Sequence, residues 1–260
     1  MSRNIANILG VPINSTQLPS LLDQIEGLIE EKPGFEAKPP LIIFTPNPEF
    51  LVEAQKNLKF KEILKVADIN IPDGFGLVLF SRVFRKEVKE RVSGADLVSC
   101  LLETANSKGW SVGIAGARRG DRGEAEFLFK KLSEKYPRVK FVNLDNLEFK
   151  IENLSADRQD LKPAHPAGGL KIVFACHGMV KQEEWIIGNK EKINAKVFIG
   201  IGGSLDFLTG FSKRAPFLMR KIGLEWLWRG LTKPGHLKRV WTATVVFPWL
   251  IFREKFKINS

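Results

Sequence analysis

The chain has 260 residues and a mass of 29.3 kDa, with 44% hydrophobic and 27% charged residues. This composition excludes a disordered chain, a collagen-like chain and a small disulfide-rich protein, and it predicts one large domain or one domain with an appendage. Two cysteines in apolar runs favour a reducing compartment. The sequence shows no secretory signal and no run of the ~20 apolar residues that a spanning helix needs, so we expect a protein that is cytosolic or lies on a membrane without crossing it.

Strand and helix patterns alternate along most of the chain. Apolar residues repeat at helical spacing over 18–29, and a loop rich in breaker residues follows at 32–40. Short buried strands are predicted at 41–45, 67–71, 110–116, 139–144, 170–175 and 196–202. Helices are predicted at 48–57, 58–66, 94–109, 125–136 and from Gln182 onward, whereas 145–169 has no period. This alternation predicts an α/β fold with a mostly parallel sheet covered by helices on both faces.

The positive charge is concentrated in the last fifty residues, where the pattern becomes helical, basic and aromatic from Ser212 on. The net charge is +11, and residues 211–260 hold eleven Lys and Arg against two acidic residues, together with four of the six tryptophans. Basic residues interleaved with Trp and Phe suit an anionic lipid surface with an apolar layer beneath it. Two alternatives stay open for the apolar run 242–252 and its basic neighbours: packing on the protein's own core, and binding of nucleic acid.

Ligands of parallel α/β sheets bind beyond the carboxyl ends of the strands. In this sequence those ends carry glycines, a carboxylate, amides and hydroxyls, at 45–49, 72–74, 116–118, 176–178 and 202–204. This composition fits a cleft for a nucleotide or a nucleotide sugar. The P-loop, the dinucleotide fingerprint, zinc-ligand spacing and the G-x-S-x-G motif are all absent. No D-x-D pair is present to hold Mg²⁺ or Mn²⁺ on a nucleotide diphosphate, so we predict no bound metal.

Six blocks of the sequence, in this order, resemble the WecG/TagA/CpsF family of bacterial glycosyltransferases. The blocks are TPNPEFLVEAQKN (45–57), ADINIPDGFGLVLFSR (67–82), RVSGADL (91–97), KQEEWI (181–186), IGGSLDFLTGFSKRAPFLMRKIGLEWLWR (201–229) and KPGHLKR (233–239). The resemblance implies a single Rossmann-like catalytic domain, at 1–211, and a basic aromatic helical appendage, at 212–260, that associates with the membrane. It also implies an enzyme without a cofactor or a bound metal.

The resemblance implies transfer of an N-acetylmannosamine-type or related sugar from a UDP donor to a polyprenyl-diphosphate-linked sugar, in the synthesis of teichoic acid or another cell-surface polysaccharide. The expected partners are therefore the UDP-sugar, the lipid-linked acceptor and an anionic membrane surface, but no nucleic acid. The expected location is peripheral, on the cytoplasmic face of the cell membrane. A homo-oligomer stays open, and so does a catalytically idle protein on the same sheet that binds a nucleotide sugar or a nucleic acid.

An inverting sugar transfer needs a base, groups that hold the sugar and positive charge that receives the departing UDP. Asp73, at a predicted strand end, is the candidate base, and the alternative is a turn residue. Thr45 and Asn47 are candidates for binding sugar hydroxyls, and the alternative is turn formation between prolines. Arg91 is a candidate for the diphosphate or the acceptor, and the alternative is a surface ion pair. Gln182, which opens a helix after a strand end, is the candidate amide of the catalytic site.

The remaining candidates bind substrate. Glu183 caps a helix or binds ribose, and a solvated helix face is an equal alternative. Glycines let the backbone approach a phosphate or a base closely, or they form tight turns; the candidates are Gly74, Gly76, Gly202 and Gly203. Without a metal, arginines are the simplest groups to stabilise a leaving diphosphate, because they keep their charge and bind it bidentately. The candidates are Arg214, Arg229 and Arg239, and the alternative for them is a general attraction to lipid.

Overall fold

The first element of the chain is an antiparallel hairpin, which the sequence patterns did not predict. The computed structural model describes residues 5–31, 38–81, 88, 90–145, 169–221, 227–228 and 237–257. Strand β1 (Ile5–Ile8) pairs with β2 (Val11–Asn14) in register, Ile5 opposite Asn14 and Ile8 opposite Val11. The two turn residues, Leu9 and Gly10, both have positive φ, which is the geometry that two-residue hairpin loops favour.

The main sheet confirms the predicted α/β fold. Among the described residues, its strands are β3 (Leu41–Phe44), β4 (Ile69–Asn70), β5 (Ser111–Ala115), β6 (Lys140–Asn143), β7 (Leu170–Ala175) and β8 (Ala195–Gly200). Their order across the sheet is β4-β3-β8-β7-β5-β6, and the β3–β8, β8–β7, β7–β5 and β5–β6 pairs are parallel. Every residue of β3 and β5 is buried, as expected for strands covered by helices on both faces.

Helices connect the strands and confirm most of the predicted helical segments. The helices are α1 (Leu18–Glu30), α2 (Pro48–Lys56), α3 (Leu58–Val66), α4 (Phe75–Ser81), α5 (Gly94–Lys108), α6 (Arg122–Lys135), α7 (Lys181–Asn189), α8 (Ser204–Leu208), α9 (Phe217–Lys221), α10 (Leu237–Trp241) and α11 (Phe247–Lys257). A π-helical turn at Thr242–Val246 joins α10 to α11. Helix α4 was not predicted. Most of the predicted loop at 145–169 lies outside the described residues.

The chain contacts define two compact units. One contains Met1–Leu21, Phe44–Gly94 and Ser212–Ser260, and the other contains Leu22–Ile43 and Ala95–Phe211. The residues from Ser212 on therefore share a unit with the hairpin and with α2, α3 and α4. The two units are defined by contacts within the chain. The predicted division into a catalytic domain at 1–211 and a membrane appendage at 212–260 is defined by function, and it stays a prediction.

Helix α11 has one buried side in the first unit. Phe247 and Ile251 are fully buried, and Leu250 is 8% exposed. Phe80 of α4 meets the Phe247 ring edge to face, with the ring centroids 5.6 Å apart. The predicted alternative of self-packing is therefore confirmed for this side of the apolar run. Of the helices in the described part of the chain, none is long and apolar enough to cross a membrane.

Candidate active site

Backbone hydrogen bonds fix the loop that carries Asp73 in the first unit. The Asp73 N–H donates to the Pro46 carbonyl at 2.9 Å, which ties the loop after β4 to the loop after β3. The Val92 N–H donates to the Pro72 carbonyl at 3.1 Å, which adds the segment that leads to α5. Three chain segments that are distant in sequence therefore meet around Asp73.

The Asp73 carboxylate faces Arg91 and the backbone of Gly94. Arg91 Nη2 lies 3.7 Å from Asp73 Oδ1, so the two groups form a loose ion pair. A Cβ atom added to Gly94 would lie 3.4 Å from Asp73 Oδ2 and 3.4 Å from Thr45 Cγ2. Gly94 is also the first residue of α5, and a helix N-terminus favours negative charge. The structure thus brings the candidate residues Asp73, Arg91 and Thr45 together, with 29% of the Asp73 side chain still exposed.

The Asn47 side chain caps a helix. Its Oδ1 accepts hydrogen bonds from the N–H groups of Glu49 at 2.9 Å and Phe50 at 3.2 Å, which makes Asn47 the N-cap of α2. Asparagine is among the favoured residues for this position because its short amide reaches back to the first turn. The side-chain oxygen therefore caps a helix, a role that neither the predicted sugar contact nor the turn alternative named. The amide nitrogen of Asn47 is the atom left to donate to a sugar hydroxyl, and that contact stays a prediction.

Gly74 and Gly76 let the start of α4 approach Pro48, the first residue of α2. A Cβ atom on Gly74 would lie 3.0 Å from Pro48 Cδ, and one on Gly76 would lie 3.0 Å from Pro48 Cγ. Gly74 also has φ +153, a conformation that other residues rarely adopt. Close packing explains both glycines, and their predicted contact with substrate is not tested by these distances.

Two C-terminal arginines reach the segments around Asp73. Arg214 Nη2 donates to Ser93 Oγ at 3.4 Å, on the segment that carries Arg91. Arg239 Nε donates to Glu49 Oε2 at 2.6 Å, in the first turn of the helix that Asn47 caps. Arg229 lies outside the described residues. The sequence interpretation did not single out Ser93 or Gly94, although both stand in the RVSGADL block that carries the family resemblance.

In the second unit, Gln182 and Glu183 are buried and joined by hydrogen bonds. Their exposed fractions are 1% and 0%. The Gly202 N–H donates to Gln182 Oε1 at 2.8 Å, and Gln182 Nε2 donates to Glu183 Oε1 at 2.5 Å. Glu183 Oε2 accepts from the Val180 N–H at 2.8 Å, at the N-terminus of α7. The capping alternative is therefore confirmed for Glu183.

The environment of Glu183 changes its acidity. Burial raises the pKa of the Glu183 carboxyl to about 7, although hydrogen bonds from Gln182 and from backbone N–H groups oppose the shift. The nearby charge of Glu184 raises the pKa further. Glu183 is therefore partly ionised near neutral pH.

Gly202 and Gly203 form the turn between β8 and α8. Gly202 has φ +54, and its N–H is already held by Gln182, so the tight-turn alternative describes this residue. A Cβ atom on Gly203 would lie 3.5 Å from Asp206 Oδ2. Arg118, which the sequence interpretation placed at a strand end without a role, donates from Nη1 to the same Asp206 oxygen at 2.9 Å. Its guanidinium also lies 4.1 Å from the centroid of the Phe211 ring.

In the part of the chain that the structure describes, no group of three or more His, Cys, Asp or Glu side chains is placed to hold a metal ion.

Comparison with known proteins supports the class of enzyme that these residues suggest. The model of the glycosyl transferase WecG/TagA/CpsF family matches residues 6–260, so the chain belongs to this family of glycosyl transferases. Similar curated proteins come from three strains of Staphylococcus aureus, MRSA252, NCTC 8325 / PS 47 and COL. Each is 27% identical over 258 residues, which cover 98% of this chain and 94% of the relative. Each is named N-acetylglucosaminyldiphosphoundecaprenol N-acetyl-beta-D-mannosaminyltransferase.

Proposed function

We propose that this chain transfers an N-acetylmannosamine-type sugar from a UDP donor to N-acetylglucosamine linked to a polyprenyl diphosphate, for teichoic acid or another cell-surface polysaccharide. The observation that carries the proposal is the partly exposed Asp73 carboxylate beside Arg91 and Gly94. The family match and the names of the staphylococcal relatives support the class of donor sugar and acceptor.

In this reaction the Asp73 carboxylate takes the proton from the acceptor hydroxyl while the hydroxyl oxygen forms a bond to the anomeric carbon. The bond from that carbon to the UDP oxygen breaks, and UDP leaves with the electron pair. Attack from the side opposite to UDP inverts the anomeric centre, and a β-linked product, as in the names of the relatives, requires this from an α-linked UDP-sugar. Arg91, whose Nη2 lies 3.7 Å from Asp73 Oδ1, is the positively charged neighbour of this carboxylate.

The departing diphosphate needs positive charge, and we propose that arginines supply it in place of a metal ion. Arg91 and Arg214 lie on or against one segment, 91–94, beside the proposed base. Guanidinium groups stay charged and bind phosphate oxygens in pairs. The proposed reaction is therefore independent of a metal ion or another cofactor.

We also propose that the C-terminal helices hold the enzyme on the cytoplasmic face of an anionic membrane. One side of this helical segment carries an exposed apolar stripe at spacings of three and four residues: Trp241, Val245, Trp249, Phe252 and Phe256, which are 41% to 66% exposed. The opposite side, with Phe247 and Ile251, is buried in the protein. The Arg253 guanidinium lies 4.7 Å from the centroid of the Trp249 ring, a pair of cation and aromatic ring that suits the headgroup layer.

The proposal is tested by incubating the protein with UDP-N-acetylmannosamine and a short-chain polyprenyl-diphosphate-linked N-acetylglucosamine, and by measuring UDP release and the anomeric configuration of the product. A β-linked disaccharide supports the proposal. UDP binding without transfer would instead support the idle nucleotide-sugar binder, and binding of RNA but not of anionic liposomes would support the nucleic-acid alternative.

A further inference from the structure

Two turns of the second unit are joined by one chain of hydrogen bonds. The first turn, at Val180, precedes α7, and the second, at Gly202, follows β8. Between them, the Val180 N–H donates to Glu183, Gln182 donates to Glu183, and the Gly202 N–H donates to Gln182. Because Gln182 and Glu183 are 1% and 0% exposed, water does not compete for these bonds.

The direction of the chain depends on Glu183. Gln182 has one accepting end and one donating end, and its accepting Oε1 holds the Gly202 N–H. If the amide were rotated by half a turn, its NH₂ group would face the Gly202 N–H and the hydrogen bond would be lost. The carboxylate of Glu183 prevents this rotation, because it accepts from Gln182 Nε2 through one oxygen and from the Val180 N–H through the other.

The turn at Val180 has a backbone conformation that needs such support. Val180 has φ +74, which is rare for a β-branched residue, whereas Gly202 adopts its φ of +54 without steric cost because it has no Cβ atom. Gly200 completes the arrangement, because a Cβ atom there would lie 3.0 Å from Gln182 Nε2 and 3.0 Å from Glu183 Oε1. Any larger residue at position 200 would therefore push against the two side chains.

We propose that Glu183 is a positioning residue for the donor: it fixes the Gln182 amide, and through it the Gly202 N–H, so that the turn at 202–203 is held in the conformation that binds UDP. This inference rests on the proposed function for the identity of the ligand. In this arrangement Glu183 does not contact the substrate but positions Gln182.

The test uses Glu183→Gln in the full-length protein. The variant keeps the size of the side chain, but its amide has a single accepting oxygen and cannot serve both N–H groups. Glu184→Gln is the matched control, because it makes the same change one position along α7. The measurements are UDP affinity by calorimetry, KM and kcat for the UDP-sugar, and hydrogen exchange of the backbone in peptides that cover 197–204.

We expect Glu183→Gln to weaken UDP binding and raise the KM for the donor about tenfold, as expected for one lost hydrogen bond to a charged group, with a smaller change in kcat. Exchange at 197–204 should be faster, whereas Glu184→Gln should behave like the unchanged protein. In a Gln182→Ala background, Glu183→Gln should have little further effect on UDP affinity, because the two residues act in series. Glu183→Asp, which keeps the charge on a shorter arm, should give an intermediate affinity and serves if Glu183→Gln does not fold.

The inference is wrong if Glu183→Gln or Glu183→Asp lowers the melting temperature but leaves UDP affinity and exchange at 197–204 unchanged. It is also wrong if the effects of Gln182→Ala and Glu183→Gln on UDP affinity simply add. Failure of the proposed function gives a different result: the unchanged protein then neither binds UDP nor transfers sugar, while faster exchange at 197–204 in Glu183→Gln still shows that Glu183 holds the turn.

Discussion

Arg214 Nη2 lies 3.4 Å from Ser93 Oγ, and this contact joins the first residues of the C-terminal segment to the short segment between Arg91 and Gly94. The same short segment contacts the Asp73 carboxylate from two sides, through the Arg91 guanidinium and the Gly94 backbone. In the first unit, the segment 91–94 therefore lies against the Asp73 carboxylate and contributes or contacts two arginines, Arg91 and Arg214. The first two predictions follow from this arrangement.

Asp73→Asn should lower kcat by about 10²- to 10⁴-fold, because the amide cannot take a proton from the acceptor hydroxyl. UDP affinity should stay near that of the unchanged protein. Glu90→Gln is the matched control. It removes a carboxylate next to Arg91 in the sequence, and this carboxylate accepts a hydrogen bond from Gln17. Steady-state kinetics and calorimetry check both variants, and an Asp73→Asn variant with unchanged turnover would mean that Asp73 is a turn residue.

Activity should survive a metal chelator. The sequence has no D-x-D pair, and Arg91 and Arg214 lie where positive charge is needed. Transfer measured with and without EDTA should therefore agree within about twofold if arginine charge alone stabilises the leaving group. Loss of transfer in EDTA that Mn²⁺ or Mg²⁺ restores would contradict the proposed role of the arginines.

The exposed stripe on the C-terminal helices should control membrane binding. Replacing Trp249 and Phe252 together by serine should weaken binding to vesicles with anionic lipid by at least about tenfold, because each large apolar side chain contributes on the order of 2 kcal/mol when it leaves water. Leu58 and Val66 are also exposed, at 71% and 56%, and their replacement by serine is the control. Vesicle sedimentation at low and high salt measures the effect, and equal binding by both double variants would count against the stripe.

The other side of the same helix should matter for folding. Phe247 is fully buried and packs against Phe80, so Phe247→Ala should lower the free energy of unfolding by about 3–5 kcal/mol. Phe256→Ala, at a position that is 66% exposed, should change it by less than about 0.5 kcal/mol. Urea unfolding followed by circular dichroism compares the two. If both variants unfold alike, α11 does not contribute to the core.

Stability should depend on pH through Glu183. Burial raises the pKa of the Glu183 carboxyl from its ordinary value of 4.5 to about 7 in the folded protein, so the folded state holds a proton that the unfolded state releases between these values. The contribution of this proton to the free energy of unfolding is complete below about pH 4.5. It is lost as the pH rises to about 7, and the loss amounts to up to about 3 kcal/mol. The difference in unfolding free energy between the unchanged protein and Glu183→Gln should therefore fall over this range. The charge of Glu184 also raises the pKa of Glu183. Burial is the larger cause, so the stability of Glu184→Gln should still decrease between about pH 4.5 and pH 7.

Sequence patterns predicted the main sheet because its strands are short, apolar and bounded by glycine, proline and polar residues. The hairpin at β1 and β2 escaped prediction, since Leu9 is not a usual residue for a turn with positive φ. Helix α4 escaped because FGLVLFS is apolar on all sides and shows no helical period. The strand order, with β8 between β3 and β7, depends on contacts between distant segments that no local pattern encodes.

The candidate site was predictable as a set of residues but not as a set of contacts. The strand-end position of Asp73 and the family motifs singled out Asp73 as the candidate base and Arg91 as a candidate contact of the diphosphate or the acceptor. Their pairing, and the place of Gly94 against the carboxylate, depend on how three loops meet. Gln182 and Glu183 are polar residues that a solvent-exposed helix face would also explain. Their burial is possible because each donor and acceptor finds a partner, which becomes visible only in three dimensions.

The stripe from Trp241 to Phe256 also affects how the state of assembly should be measured. From Trp241 to Phe256 the helix rises by fifteen steps of about 1.5 Å, or about 22 Å in all. In lipid-free buffer this length of aromatic surface is open to a second copy of itself. Dimers or larger species seen at high concentration in such a buffer would then result from association through this exposed apolar stripe. They would not show the oligomeric state of the protein on a bilayer. Sizing the protein in lipid nanodiscs, beside the Trp249 and Phe252 double variant in plain buffer, separates the two.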